Sequence, residues 1–204
     1  MLIEDKFIKI RSEVILRLRR MDVQQDSNFE SLAIQTFRFQ AEYNSTYKKF
    51  IELLNIKPDS ISQYKDIPFL PIEAFRDHNV TTGEFAPEII YKSSGTTDSG
   101  KRSEHRVRSI DWYNEVSSRI YSSLVCPVNN LTLFALLPGY LERKNASLVE
   151  MSRSFMRASG QPERFYLNNT RTLIDDLTQS ISKGDEVTII GVTHALLNLL
   201  EADH

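Results

Sequence analysis

Val187-Thr188-Ile189-Ile190-Gly191-Val192 is the most informative segment for predicting the fold class of this 204-residue chain. Its apolar residues are almost continuous, which predicts a strand covered on both faces, as in a parallel sheet. Lys183-Gly184-Asp185 precedes it and supplies a helix stop and a turn. Helical patterns flank the segment at residues 170–183 and 195–201. The C-terminal part of the chain therefore predicts a helix–strand–helix arrangement.

The same alternation extends upstream to residue 88. Short apolar runs rich in β-forming residues predict strands at residues 89–91, 131–137 and 165–167. Helical periodicity over residues 110–125 and 146–159 fills the intervals between them. Strands that alternate with helices of about 10–15 residues indicate βαβ units. The predicted fold class is therefore α/β with a mostly parallel sheet.

The N-terminal part of the chain has a different, helical pattern. Phe7, Ile10, Val14, Leu18 and Met21 recur at three- and four-residue steps, which places them on one face of a helix. Further helical segments follow before the composition changes near residue 60. We therefore predict a helical N-terminal section over residues 1–60 and an α/β section over residues 61–204.

Composition and charge limit the classes of partner. The chain has 25 Lys and Arg against 27 Asp and Glu, so the total charge favours neither nucleic acid nor an anionic membrane. No stretch approaches the ~18 apolar residues of a membrane span, and the start lacks an apolar signal region. The single cysteine, Cys126, cannot form an intrachain disulfide, which suits a reducing compartment. We therefore expect a cytoplasmic protein that binds no nucleic acid and has no membrane span.

A segment of hydroxylated residues and glycines follows the strand predicted at residues 89–91. It reads Ser93-Ser94-Gly95-Thr96-Thr97-Asp98-Ser99-Gly100-Lys101. Such a loop suits a phosphate group, because backbone N–H groups can converge on the anion, glycine permits close approach and hydroxyls donate to its oxygens. A solvent-exposed Ser/Gly loop is the alternative interpretation.

Three other segments directly follow predicted strands, at residues 138–143, 168–169 and 191–194. In parallel α/β sheets, ligands collect at the carboxyl ends of the strands. If all the strands are parallel, we expect these segments and the loop at residues 93–101 to lie at one edge of the sheet.

The loop also supports a family resemblance. Tyr91-Lys-Ser-Ser-Gly-Thr-Thr97 resembles the phosphate-loop motif of the adenylate-forming, acyl-activating superfamily, aromatic-x-Ser-Ser-Gly-Thr-Thr-Gly. Within that superfamily the chain looks most like the acyl-protein synthetase family, the type that activates fatty acids in bacterial luminescence. Shorter likenesses lie at residues 67–75, 103–107, 137–148 and 191–197.

The resemblance implies an AMP-forming acid–thiol ligase. In this reaction a carboxylic acid, such as a fatty acid, attacks the α-phosphate of ATP, pyrophosphate leaves and an acyl-adenylate forms. A thiol of an enzyme, a carrier protein or coenzyme A then takes the acyl group. The implied cofactors are ATP and Mg²⁺, which offsets the phosphate charge.

Site roles carry over by position. The resemblance implies phosphate contacts along the loop, at Ser93, Ser94, Gly95, Thr96 and Thr97, with the two threonines also assisting catalysis. Lys101 would be an additional cation. His105 would orient substrate or phosphate, and a purely structural hydrogen bond is the alternative. Thr193 and His194 would border the acyl or nucleotide pocket, unless His194 simply begins a helix. No residue is assigned as a metal ligand.

The chain also departs from the family pattern. Asp98 stands where the motif has glycine, and a carboxylate beside phosphates repels them unless Mg²⁺ lies between. The family's aromatic-Gly-x-Thr-Glu motif for adenine and Mg²⁺ is not found. We therefore expect these 204 residues to be the first part of an adenylating domain, whose incomplete sheet favours a homo-oligomer. The alternative is a non-catalytic nucleotide- or anion-binding module that acts through a partner.

Overall fold

The structure is a computed structural model in which the chain divides into two compact units, Met1–Arg108 and Ser109–His204. The described residues are 3–20, 28–93, 102–137, 145–166 and 169–201. The predicted partition into residues 1–60 and 61–204 concerned a change of composition, and it stays a prediction.

The described part of the first unit contains four α-helices. They are α1 (Ile3–Arg20), α2 (Phe29–Tyr43), α3 (Ser45–Leu53) and the short α4 (Ala74–Asp77). Asn44 separates α2 from α3, because its extended backbone interrupts the helix and its side chain accepts a hydrogen bond from the Tyr47 N–H at 3.0 Å. The predicted helical character of the N-terminal section is confirmed over these ranges.

The core of the first unit lies between α2, α3 and the chain that follows them. Its buried side chains are Phe37, Ala41, Tyr47, Ile51 and Ile61. Phe7 of α1 packs separately on α2, stacked on Phe39 with ring centroids 5.4 Å apart. Aromatic residues of this section therefore serve packing.

The first unit ends in an antiparallel hairpin. Its strands are β1 (Ile89–Lys92) and β2 (Glu104–Val107), and Tyr91 pairs with His105 in their register. The placement of β1 in the parallel sheet was therefore wrong, and β2 was not predicted. Both errors have one cause: β1 pairs with a charged strand that follows it closely along the chain.

The second unit alternates helices and strands. Among its described residues these are α5 (Ile110–Leu124), β3 (Thr132–Leu136), α6 (Ser147–Ala158), β4 (Phe165–Tyr166), α7 (Thr170–Ser182), β5 (Val187–Gly191) and α8 (Thr193–Glu201). The three strands are parallel and stand in the order β4-β3-β5. The predicted α/β class with a parallel sheet is confirmed for this unit.

Both faces of β3 are covered. Its odd-numbered residues, Leu133 and Ala135, pack with Phe155 of α6 in one cluster. Its even-numbered residues, Phe134 and Leu136, belong to another cluster that includes residues of α7 and α8. Side chains alternate between the faces of a strand, so a strand buried on both sides needs an unbroken apolar run.

The sequence predicted that β5 is the strand covered on both faces. In the structure the strand covered in this way is β3. All five residues of β3 are buried, whereas Ile189 of β5 is 36% exposed. The reason is strand order, because β5 has β3 as its partner on one side and lies at the edge of the described sheet. Among the described helices, none has both the length and the apolar composition needed to cross a bilayer.

Candidate functional site

The phosphate loop predicted from the sequence falls largely outside the described residues. Ser94, Gly95, Thr96, Thr97 and Lys101 all belong to the undescribed range 94–101. The site is therefore built from the residues at the two ends of this range and from those around them.

The two ends are held together by a pair of hydrogen bonds. The Ser93 N–H donates to the Ser103 carbonyl at 3.0 Å, and the Ser103 N–H donates to the Ser93 hydroxyl oxygen at 3.1 Å. These bonds extend the antiparallel pairing of β1 and β2 by one step. The Ser93 hydroxyl keeps its own proton, with which it can donate to a further acceptor.

The hairpin has one charged face and one mostly apolar face. Side chains alternate along a strand, so Glu104 and Arg106 share the face of their neighbour Lys92. The opposite face carries Tyr91 and Val107, which are both buried. The hairpin can therefore pack on one side and present charge on the other.

The charged face forms one wall of an open cleft of about 670 Å³. The other wall is residues 75–80, which comprise the end of α4 and the chain after it. Lys92 and Arg102, which flank the range 93–101, both line this cleft. Its volume is within the usual range for small-molecule sites, about 300–1,000 Å³.

Ion pairs order the charged side chains of the hairpin. Lys92 Nζ lies 3.0 Å from Glu104 Oε1, and Arg106 Nη2 lies 3.2 Å from Glu104 Oε2. The hydrogen bond from Lys92 and the nearby Arg106 charge hold the pKa of Glu104 below its ordinary value. Glu104 is therefore a carboxylate at neutral pH, and it positions a cation on each side.

The cation at the end of the undescribed range is differently placed. Arg102 is exposed and makes no ion pair with any residue that the structure describes. On the opposite wall, Arg76 lies with its Nη2 3.0 Å from Asp77 Oδ2. The hairpin wall thus offers the cation with the fewest competing contacts.

His105 does not share this cleft. It lies on the opposite face of β2, with its ring centroid 6.4 Å from that of Tyr91. The residue is exposed overall, but burial of part of its ring lowers the pKa of His105 below the ordinary value of 6.5. A neutral imidazole at pH 7 adds no positive charge to an anion site.

Thr193 and His194 lie in the second unit, at the start of α8 directly after β5, and both are exposed. The carboxyl ends of β3, β4 and β5 stand in register at Leu136, Tyr166 and Gly191, which confirms a common edge for these three strands. The parallel-strand argument does not cover the segment after β1, since β1 pairs antiparallel in another sheet.

Comparison with known proteins leaves the family open. No family model matches the chain, and neither a curated protein nor a solved structure matches it.

Sequence reasoning assigned a role to none of the four cations that line the cleft, Arg76, Lys92, Arg102 and Arg106. Arg106 alternates with Glu104 in Glu104-His-Arg-Val107, a pattern that suits a strand with one charged face. Arg76 had no such signal, because it lies sixteen positions before Lys92. Only the folded chain brings the two segments into one cleft.

Proposed function

We propose that this chain is part of an AMP-forming acyl-activating ligase of the acyl-protein synthetase type. The observation that carries the proposal is that Lys92 and Arg102, the residues on either side of the Ser/Gly/Thr segment, both line a cleft rich in cations. A segment with the composition of a phosphate loop thus begins and ends where positive charge is concentrated. On this proposal the two units are the first part of an adenylating domain.

The chemistry of the cleft suits the first step of the reaction. Transfer of the adenylyl group develops charge on the leaving pyrophosphate, and fixed cations and N–H donors aimed at that charge stabilise the transition state. In this proposal Ser93 to Thr97 bind the β- and γ-phosphates and Lys101 adds a cation. Thr193 and His194 border the acyl or nucleotide pocket.

Mg²⁺ would be held mainly by the phosphates of ATP. The carboxylates of the described lining, Asp77 and Glu104, are already paired with arginine or lysine, and the described residues contain no cluster of three His, Cys, Asp or Glu. Mg²⁺ typically binds through substrate phosphates with one or two carboxylates. The ion would lower the negative charge of the triphosphate.

A second function is supported by the position of Arg76 and Arg106. Both line the cleft but lie outside the Ser/Gly/Thr segment, so anion binding does not require the motif to be catalytic. A non-catalytic nucleotide- or anion-binding module that acts through a partner would use the same cleft. The two functions differ in whether bound ATP reacts with an acid.

Acid-dependent exchange of labelled pyrophosphate into ATP distinguishes them. We expect the full-length protein to catalyse exchange with at least one member of a panel of fatty and aromatic acids. Thr96→Ala should lower the exchange rate about a hundredfold, the usual cost of losing a donor to developing charge. Thr178→Ala is the matched control, because the hydroxyl of this exposed threonine donates within its own helix, to the Ile174 carbonyl at 2.8 Å.

The outcomes separate cleanly. Folded protein that exchanges pyrophosphate with none of the acids contradicts the ligase. If such protein nevertheless melts at a higher temperature with ATP, and Thr96→Ala removes that shift, the non-catalytic module is supported. Absence of both responses contradicts both functions.

A further inference from the structure

Cations reach the cleft from two separate segments of the first unit. They are Arg76 of α4 and Lys92, Arg102 and Arg106 of the hairpin. Among the described lining residues the carboxylates are Asp77 and Glu104, so positive side chains outnumber negative ones. No motif in the sequence assigned Arg76 or Arg106 to a site.

We propose that this cleft binds a polyphosphate chain and that Arg102 and Arg106 are its principal ligands. The identity of the polyphosphate as the triphosphate of ATP, or as the pyrophosphate product, rests on the proposed function. The binding itself rests on the described cleft alone.

The availability of N–H donors selects these two arginines. Arg102 has no ion-pair partner among the described residues, so none of their carboxylates competes with an anion for its five N–H groups. Arg106 contacts Glu104 through Nη2 only, at 3.2 Å, which leaves most of its five N–H groups for other acceptors. Guanidinium groups match phosphate oxygens in pairs, and such charge-assisted bonds are stronger than neutral ones.

The other two cations are more engaged. Arg76 uses both Nε and Nη2 on the Asp77 carboxylate, at distances of 3.0–3.4 Å. Lys92 Nζ is bound to Glu104 at 3.0 Å. These groups add positive potential to the cleft without offering their full set of donors.

The distribution of charge favours several linked phosphates over one. Cations stand on both walls, and a cleft of about 670 Å³ is much larger than a single phosphate. A chain of two or three phosphoryl groups can contact both the hairpin and residues 75–80 at once. A single phosphate forms only part of these contacts.

Glu104 limits the affinity of the cleft. Its carboxylate holds Lys92 and Arg106 and repels an incoming anion. Replacing it by glutamine removes that charge while keeping a similar shape. We therefore expect Glu104→Gln to bind polyphosphate more tightly, a gain that a misfolded variant would not produce.

Calorimetric titration of the 204-residue chain with sodium tripolyphosphate, pyrophosphate and orthophosphate tests the proposal. We expect tripolyphosphate to bind at least about tenfold more tightly than orthophosphate, and Arg102→Gln or Arg106→Gln to weaken it about tenfold each, as for loss of a charged hydrogen bond. Glu104→Gln should tighten it severalfold, and added salt should weaken all binding. Lys48→Gln and Lys49→Gln are matched controls, because both lysines are exposed on α3 of the same unit, and they should change Kd less than about twofold.

Three results would overturn the cleft as a polyphosphate site: no binding, equal affinity for tripolyphosphate and orthophosphate, or equal losses in the arginine variants and the lysine controls. If any of these results is found together with acid-dependent pyrophosphate exchange, the ligase function is supported and only the polyphosphate site is contradicted. If the chain binds tripolyphosphate, both arginine variants lose this binding, and no acid supports exchange, the polyphosphate site is supported and the ligase function is contradicted.

Discussion

The central strand of the second unit and the hairpin of the first unit use their faces in opposite ways. All five residues of β3 are buried, and helices cover both its sides. The hairpin buries Tyr91 and Val107 on one side and carries Lys92, Glu104 and Arg106 on the other. A strand with two apolar faces can only support the fold, whereas a strand with one charged face can also meet a ligand. We therefore assign stability chiefly to β3 and binding to the hairpin.

The largest expected effect on stability comes from truncating a side chain of β3. Leu133 is completely buried, so Leu133→Ala should lower the free energy of unfolding by about 2–5 kcal/mol through lost burial and a cavity. Denaturant unfolding followed by the fluorescence of Trp112, the single tryptophan and a residue of the second unit, measures it. Leu124→Ala is the control, since Leu124 is 62% exposed and its truncation should cost under about 0.5 kcal/mol. Equal costs at the two leucines would contradict the importance of the covered strand.

A smaller effect is expected where α1 packs in the first unit. Gly83 has φ +74°, and a Cβ there would lie 2.4 Å from Cζ of Phe7. Gly83→Ala should cost about 1–3 kcal/mol, the sum of a left-handed backbone and displacement of the ring. Gly160→Ala isolates the backbone part, because Gly160 has φ +67° with nothing within 4 Å of a Cβ. Circular dichroism during thermal unfolding measures both, and a Gly160→Ala cost as large as that of Gly83→Ala would argue against the Phe7 contact.

The smallest effect concerns the helical core of the first unit, away from the charged face of the hairpin. The Tyr47 hydroxyl donates to the Pro68 carbonyl at 2.6 Å, and burial raises the pKa of Tyr47 to about 12. The folded state thus favours the neutral phenol, so its contribution is complete below pH 10 and is lost as the pH rises through about 12. Tyr47→Phe should cost about 0.5–1.5 kcal/mol at pH 7.

Alkaline unfolding curves of the two proteins check this expectation. The difference in stability between wild type and Tyr47→Phe should shrink between pH 10 and about pH 12. Tyr64→Phe serves as a control at pH 7, because Tyr64 is 38% exposed and its replacement should cost less than that of Tyr47. A constant difference across this range would contradict the buried, neutral phenol.

The second unit could be predicted well because its signals are local. The helices predicted at residues 110–125, 146–159 and 170–183 each match an observed helix to within one residue at either end. Apolar periodicity marks such elements without reference to distant parts of the chain. The identity of the covered strand was missed, because strand order depends on which way each crossover turns.

The first unit could be predicted only in part because its hairpin and cleft depend on pairing. Glu104-His-Arg-Val107 has one strongly apolar residue, so it becomes a strand through its hydrogen bonds to β1. The sequence singled out the segment between Lys92 and Arg102, two residues that line the cleft, but not Arg76 on the opposite wall. The family resemblance implied that His105 orients substrate or phosphate, but the alternation of side chains along β2 places it on the face opposite the cleft.

Amide chemical-shift mapping with MgATP separates the hairpin cleft from the carboxyl edge of the parallel sheet. Binding through the phosphates at the hairpin predicts the largest shifts at residues 75–80 and 102–106, with Thr193 and His194 changing less. Arg102→Gln and Arg106→Gln should reduce those shifts, and Lys49→Gln should leave them unchanged. Phosphate binding at the hairpin would be contradicted if the largest shifts occurred at Asn169, Thr193 and His194 while residues 75–80 and 102–106 stayed unchanged.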